Sequence, residues 1–163
     1  MKKWIIYIFS LGLGVSAFAS IPKHKPGAFP EGEKLIYSKF LASFRKSDLT
    51  DMNKQKKLLE ENYPTSVHLE NAYYLTGAIE YQQDHLGEAL RAFDKVVNTY
   101  PQSSRRSSAL FAMGMTYKKL NLTKQAQAVF QRVVDNYPGS PESQRAWLES
   151  RIPGTTDKTT KTK

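Results

Sequence analysis

The sequence predicts an all-α fold, a right-handed α-solenoid of helix hairpins, and two observations carry that prediction. The dipeptide Tyr-Pro recurs at residues 63–64, 100–101 and 137–138, so that the spacing is 37 residues both times. Within each interval, apolar residues return at steps of three and four, which is the periodicity of amphipathic helices. A fixed period with two helical stretches in each unit is typical of solenoids, in which every hairpin buries its apolar face against its neighbours.

Residues 1–19 have the pattern of an export signal peptide. Met1-Lys2-Lys3 is basic, and residues 4–19 are uncharged and end in Ala17-Phe18-Ala19. This apolar stretch is shorter than the roughly 20 residues that span a bilayer, and small residues at −3 and −1 suit signal peptidase. We expect cleavage between Ala19 and Ser20, and no membrane span after cleavage. An uncleaved membrane anchor is the alternative.

Next comes a linker, followed by a degenerate first unit. Residues 20–32 contain three prolines and two glycines, which predicts an extended linker. Stepping back by 37 gives a repeat at about 33–69, in which the polar Lys56 takes the position of a phenylalanine in the later units. A terminal repeat is expected to be atypical because one of its faces meets water.

Two clear repeats follow at about 70–106 and 107–143, and a capping helix is predicted over 141–152. The first clear repeat predicts helices over about 67–83 and 87–99, with a break at His85-Leu86-Gly87. Small residues let the paired helices approach, phenylalanines fill the space between one pair and the next, and prolines end the second helices. These structural positions are Gly77, Ala89, Phe93, Pro101, Gly114, Ala126, Phe130 and Pro138. Ser66, Ser103 and Ser140 are expected to accept bonds from free amides at the next helix start. Residues 153–163, rich in Thr and Lys, are expected to be disordered.

The offsets within each unit resemble the tetratricopeptide (TPR) repeat. Counted from the glycine, the alanine falls 12, the phenylalanine 16 and the proline 24 residues later, with three extra residues in the turn between repeats. One departure is Glu80, which stands where the family has an aromatic residue and where the next unit has Tyr117.

The resemblance implies a concave groove lined by the first helix of each unit, which is the usual binding face of the family. The positions assigned to it are Tyr37, Leu41, Phe44, Tyr74, Ala78, Tyr81, Phe111, Met115, Lys118 and Lys119. Such a groove is aromatic along its floor and basic at its ends, which suits a peptide with apolar anchors and some acidic residues. The alternative is that these aromatic rings only pack against neighbouring helices.

The Tyr-Pro-x-Ser punctuation of an exported repeat pair resembles the C-terminal domain of the YbgF family of the Tol-Pal system (cell division coordinator CpoB). That likeness covers residues 33–152 and implies a periplasmic scaffold whose partners are envelope proteins or peptides. The N-terminal coiled coil of that family has no counterpart in residues 20–32, and the oligomeric state stays open. The alternatives are a BamD-like accessory of outer-membrane assembly, although the chain has no lipidated cysteine, and a structural spacer.

Charge and composition exclude several other classes. The net charge of +9 falls to +7 without Lys2 and Lys3, and an exported chain does not favour a nucleic-acid partner. The charge is also uneven, −3 over residues 65–101 and +5 over residues 102–138, which predicts either an oriented partner or a mixed solvated surface. With no cysteine, three scattered histidines and no catalytic motif, the sequence predicts no enzyme, no catalytic residue, no metal site and no cofactor.

Overall fold

The computed structural model describes residues 31–151, which form seven α-helices. They are α1 (Glu31–Arg45), α2 (Leu49–Asn62), α3 (Leu69–Gln82), α4 (Leu86–Thr99), α5 (Arg106–Lys119), α6 (Thr123–Asn136) and α7 (Pro141–Arg151). Consecutive helices contact each other along the whole series, and first helices also contact the next first helix. The described residues are therefore three hairpins and one further helix in a stack, which confirms the predicted all-α solenoid.

Several predicted boundaries fall beyond the described residues. The signal peptide, the cleavage site Ala19–Ser20, linker residues 20–30, Ile152 and the tail 153–163 all lie there. The predicted linker end at residue 32 is wrong, because Glu31 and Gly32 already belong to α1. Glu31 and Glu33 stabilise this start, since carboxylates interact favourably with the N-terminal end of a helix. No helix within 31–151 has the length and apolar character needed to cross a membrane.

The turns between hairpins occur at the predicted Tyr-Pro dipeptides and at the serines that follow them. Tyr63, Tyr100 and Tyr137 each end a second helix, and each donates its backbone N–H to the carbonyl four residues earlier. The serines act as predicted. Ser66 Oγ accepts from the His68 amide at 3.0 Å, Ser103 Oγ from the Arg105 amide at 3.0 Å, and Ser140 Oγ from the Ser143 amide at 3.0 Å. These bonds satisfy amides that a helix start leaves without intrahelical partners.

The turns within hairpins depend on residues that the sequence analysis did not single out. Gly87, placed in the predicted break, lies inside α4, and the reversal occurs at Asp84 with a φ of 63°. Ser47 (φ 54°) and Asn121 (φ 59°) take the same left-handed conformation, again 37 residues apart. The next amide reaches back across each turn, as when the His85 amide donates to the Glu80 carbonyl at 2.9 Å. This is the Schellman way of ending a helix, without its usual glycine.

Glycine and phenylalanine form the central contact of each clear hairpin. A Cβ placed on Gly77 would lie 2.8 Å from Phe93 Cε1, and one on Gly114 would lie 2.4 Å from Phe130 Cε1. Both rings are almost fully buried. The phenylalanine therefore lies over the glycine of its own hairpin, whereas the sequence analysis placed it between one pair and the next.

The first hairpin exchanges these two positions. The 37-residue step places Phe40 where the later hairpins have glycine, and Lys56 where they have phenylalanine. Phe40 is completely buried, so the ring fills the hairpin from α1 instead of α2. The Lys56 amine turns towards the next hairpin and lies 5.0 Å from the centre of the Tyr73 ring. The degenerate repeat thus keeps one aromatic ring per hairpin, supplied by the opposite helix.

Candidate functional site

An open cleft of about 430 Å³ lies on the face formed by the first helices α3 and α5 together with α7. Its lining combines aromatic rings, small side chains and a few polar groups. The residues are Tyr74, Ala78, Tyr81, Gln82, Phe93, Ser108, Phe111, Ala112, Glu142 and Arg145. Residues one or two helical turns apart on each first helix line the same face because helical side chains repeat at three and four positions. This cleft is called the groove below.

Each of three groove rings is faced by a cation. The Arg105 guanidinium carbon lies 5.2 Å from the centre of the Tyr74 ring, and that of Arg145 lies 4.3 Å from the centre of Phe111. The Lys119 amine lies 4.7 Å from the centre of the Tyr81 ring. The negative face of an aromatic ring attracts a cation, so these contacts fix positive charge beside the apolar floor.

The two guanidinium groups have no internal carboxylate partner. Among the ion pairs within residues 31–151, none includes Arg105 or Arg145. The carboxylate of the groove, Glu142, accepts a bond from Ser108 Oγ at 2.7 Å, which joins α7 to α5 and holds the cleft wall in place. The groove lining therefore contains a hydroxyl-bound carboxylate and Arg145, and a second arginine, Arg105, lies over the Tyr74 ring of that lining.

Part of the sequence-predicted set meets in this groove. The structure brings together Tyr74, Ala78, Tyr81 and Phe111. Met115 is not among the lining residues, although it packs against the same core cluster as Tyr74 and Tyr81. The lysines do not form a free basic end: Lys118 pairs with Glu149 of α7, and Lys119 pairs with Asp84 of the preceding hairpin. The positive charge of the second clear repeat is thus partly used in contacts between hairpins.

The predicted residues of the first hairpin lie in a different cluster. Tyr37, Leu41 and Phe44 pack against a core cluster to which α1, α2 and α3 all contribute, among them Phe40 and Met52. The Tyr37 ring stacks on His68 with 3.9 Å between ring centres, and its hydroxyl accepts from Asn71 Nδ2 at 2.6 Å. These three side chains are not among the residues that line the groove. The next hairpin engages Tyr37, and the assignment of all three to a partner-binding face stays a prediction.

Phe111 is mainly a core residue. Only 6% of it is exposed, and its ring packs on Phe130 of α6 with 5.7 Å between centres. Tyr74 makes the matching contact with Phe93 at 5.9 Å but stays half-buried, as Tyr81 does. Phe111 therefore packs the core, whereas Tyr74 and Tyr81 pack against that core with part of each side chain exposed.

Four further residues line the groove that the sequence pattern did not indicate: Ser108, Ala112, Glu142 and Arg145. Asn71 lies one helical turn before Tyr74, and Ser108 lies one helical turn before Phe111. The 37-residue step that joins Asn71 to Ser108 also joins Ser108 to Arg145. This periodic signal could have placed Arg145 on the groove. Glu142 could not be found this way, because it reaches the groove from the first turn of α7, which has no counterpart in the earlier hairpins.

On the opposite side, Tyr73 joins α2, α3 and α4. Its hydroxyl donates to the Glu60 carboxylate, and the amines of Lys56 and Lys95 lie 5.0 and 5.9 Å from the centre of its ring. Burial and the bond to Glu60 raise the pKa of Tyr73 well above its ordinary value, and burial lowers the pKa of Lys56. The arrangement fixes the junction of the first two hairpins.

Within 31–151, no three His, Asp or Glu side chains are placed to hold a metal ion.

Comparison with known proteins agrees with this geometry. Residues 71–103 and 108–140 each match the sequence model of the tetratricopeptide repeat, so the two clear hairpins are repeats of this class. Among curated proteins, none matches the chain. Tetratricopeptide repeats generally serve as scaffolds for protein interaction.

Proposed function

We propose that this chain is an exported interaction scaffold that holds peptide segments of partner proteins in the groove of α3, α5 and α7. The observation that supports it most is the row of aromatic rings that each face a cation, at an open cleft beside two guanidinium groups that form no ion pair within residues 31–151. Half-buried tyrosines provide contact area at a small entropic cost, and arginines bind carboxylates through two parallel bonds.

The ligand that fits this groove is an extended or helical peptide with apolar anchors and acidic residues. Its anchors would lie on Tyr74 and Tyr81, where the groove floor is widened by the small side chain of Ala78. Its carboxylates would meet Arg105 and Arg145. Glu142 would repel a second acidic group near Ser108 or accept an amide of the ligand backbone, so it contributes to the choice of peptide.

The setting we propose is the periplasm of the bacterial cell envelope, as in the YbgF/CpoB family. The support is the sequence pattern of residues 1–19 and the Tyr-Pro-x-Ser punctuation, which resembles that family. Tol-Pal components are accordingly the first candidate partners. N-terminal sequencing of the protein from a periplasmic extract tests the export step: a chain that begins at Ser20 supports it, and one that retains Met1 contradicts it.

Peptide binding is tested with synthetic peptides rather than with an extract. Overlapping fluorescein-labelled 15-residue segments of the periplasmic regions of Tol-Pal proteins, and a second set from barrel-assembly proteins, are titrated against the full chain by anisotropy. We expect a subset rich in aromatic and acidic residues to bind. Tyr74→Ala combined with Tyr81→Ala should weaken it more than tenfold, since two rings lose their buried contacts.

The controls separate binding from folding. Leu35→Ala changes an exposed side chain of α1 outside the groove and should leave the affinity unchanged. Arg145→Glu should abolish binding of acidic peptides while circular dichroism keeps its helical signal. If the double tyrosine variant binds as well as the unmodified chain, the groove is not the binding face. If only the barrel-assembly set binds, the Tol-Pal assignment is wrong and the groove assignment stands.

A further inference from the structure

The outer face of α7 exposes large apolar side chains. Trp147 is 44% exposed and Leu148 is 56% exposed. Together with Val134 of α6 and with Ser143 and Gln144, they line a shallow depression of about 430 Å³. Solitary exposed apolar residues need no explanation, but two adjacent ones over a concave apolar surface indicate an unfilled contact.

The 37-residue step identifies what is missing from this face. Trp147 corresponds to Leu110, which is 1% exposed, and Leu148 corresponds to Phe111, which is 6% exposed. In the complete hairpin, Phe111 packs on Phe130 of the second helix α6. Over the described part of the chain, α7 has no second helix and no following hairpin. Its open face is therefore the surface that the rest of the stack covers in the earlier repeats.

Arg151 alters the chemistry of this surface. It occupies the position of Gly77 and Gly114, the residues that make room for a phenylalanine ring in the earlier hairpins. Its guanidinium carbon lies 3.9 Å from the centre of the Trp147 ring. No described carboxylate forms an ion pair with it. A helix that docks here thus meets a cation where α4 and α6 meet glycine.

Two occupants within the same protein fit poorly. Residues 152–163 contain one large apolar residue, Ile152 directly after Arg151, and a single such residue cannot form the apolar stripe that would cover Trp147 and Leu148. A second copy docking through this patch would cover little area: the two half-exposed side chains offer on the order of 200 Å². A stable dimer buries about 800 Å² on each partner.

We propose that the open face of α7 binds one amphipathic helix of another protein, in the place that the second helix takes in the earlier hairpins. The side chains exposed on this face determine which residues the docking helix must carry. An apolar stripe at three- and four-residue steps covers Trp147, Leu148 and Val134, and a carboxylate replaces the phenylalanine of α4 and meets Arg151. This surface is separate from the groove, so the proposal does not depend on peptide binding there.

A peptide copied from the chain itself provides the probe. Residues 84–101, which contain α4 and its ends, are synthesised with Phe93→Glu and titrated against the full chain carrying Trp4→Phe. In that chain Trp147 is the sole tryptophan, so its emission reports occupation of the face. We expect a saturable change in Trp147 emission. Leu148→Ala should weaken binding about tenfold, because about half of a leucine side chain loses its contact.

Two comparisons make the test specific. Leu35→Ala is the matched control, because Leu35 is also 56% exposed but lies on α1 at the other end of the stack. It should leave the affinity unchanged. Arg151→Glu should weaken the Phe93→Glu peptide at least tenfold and strengthen a peptide carrying Phe93→Lys.

Three results would overturn the proposal. The first is emission of Trp147 that does not saturate with either peptide. The second is an affinity for the two peptides that is the same with Arg151 as with Arg151→Glu. The third is self-association of the full chain in sedimentation equilibrium that Leu148→Ala abolishes, since it would show that a second copy covers the face.

Discussion

Replacing Gly114 by alanine tests the packing of the clear hairpins. The new Cβ would lie 2.4 Å from Phe130 Cε1, 2.7 Å from Cδ1 and 3.0 Å from Cζ, all closer than carbon atoms pack. The Phe130 ring is 1% exposed and rigid, so it cannot swing away into solvent. The strain must therefore be taken up by separating α5 from α6 or by forcing the ring from its rotamer.

The magnitude follows from two opposing effects. Overpacking a core costs typically 1–3 kcal/mol, and a contact this short belongs near the upper end, about 3 kcal/mol. Alanine is about 1 kcal/mol more favourable than glycine inside a helix, which offsets part of that cost. The free energy of unfolding should fall by about 2 kcal/mol. Gly77→Ala, with a contact of 2.8 Å, should cost less.

Urea unfolding followed by circular dichroism measures these changes. Gly87→Ala is the matched control, because its nearest neighbour, Arg91 Nη1, is 3.8 Å from the new Cβ and the site is exposed on α4. It should leave stability unchanged or raise it by up to about 1 kcal/mol. Gly114→Ala combined with Phe130→Leu should cost less than the sum of the two single changes. If Gly114→Ala is as stable as Gly87→Ala, the glycine is not required for close approach.

Two further predictions concern the turns and the response to pH. Ser47→Gly should raise the free energy of unfolding by about 1 kcal/mol in urea titrations, because Ser47 has a φ of 54° that L-residues disfavour; an unchanged midpoint would contradict this strain. Burial lowers the pKa of His68 below its ordinary 6.5, so its contribution to stability is complete above pH 6.5 and is lost as the pH falls through the lowered pKa. Unfolding midpoints at pH 7.5 and pH 5 should therefore differ less in His68→Gln than in the unmodified chain, and an equal difference in both would refute the assignment.

The fold could be predicted from the sequence because the same residue types recur at equivalent positions of successive repeats. The recurrence of Tyr-Pro, glycine and phenylalanine at one spacing predicted three hairpins and a further helix, and each of these is present. The sequence predicted breaks at His85-Leu86-Gly87 and in the next unit but not the left-handed residue of each turn, since three different residues take that position, Ser47, Asp84 and Asn121. These three residues share a backbone conformation but not a residue type, so they cannot be recognised as equivalent by comparing residue identities between repeats.

The candidate site was only partly predictable for a related reason. A position in one repeat shows which way a side chain points, but its exposure depends on what the next repeat places over it. Tyr37 is engaged by His68 and Asn71, Phe111 is covered from α6, and Tyr81 stays open because the neighbouring positions are small or polar. Only the packed structure distinguishes these cases.

The central claim is that the groove binds peptide. Two-dimensional NMR of the isotope-labelled full chain, titrated with a peptide selected by anisotropy, tests it most directly. Binding in the groove predicts shifts concentrated at Tyr74, Tyr81 and Arg145, with the signals of α2 and α4 on the opposite face unchanged. Shifts confined to residues around Tyr73 and Lys95, or to the open face of α7, would contradict the claim.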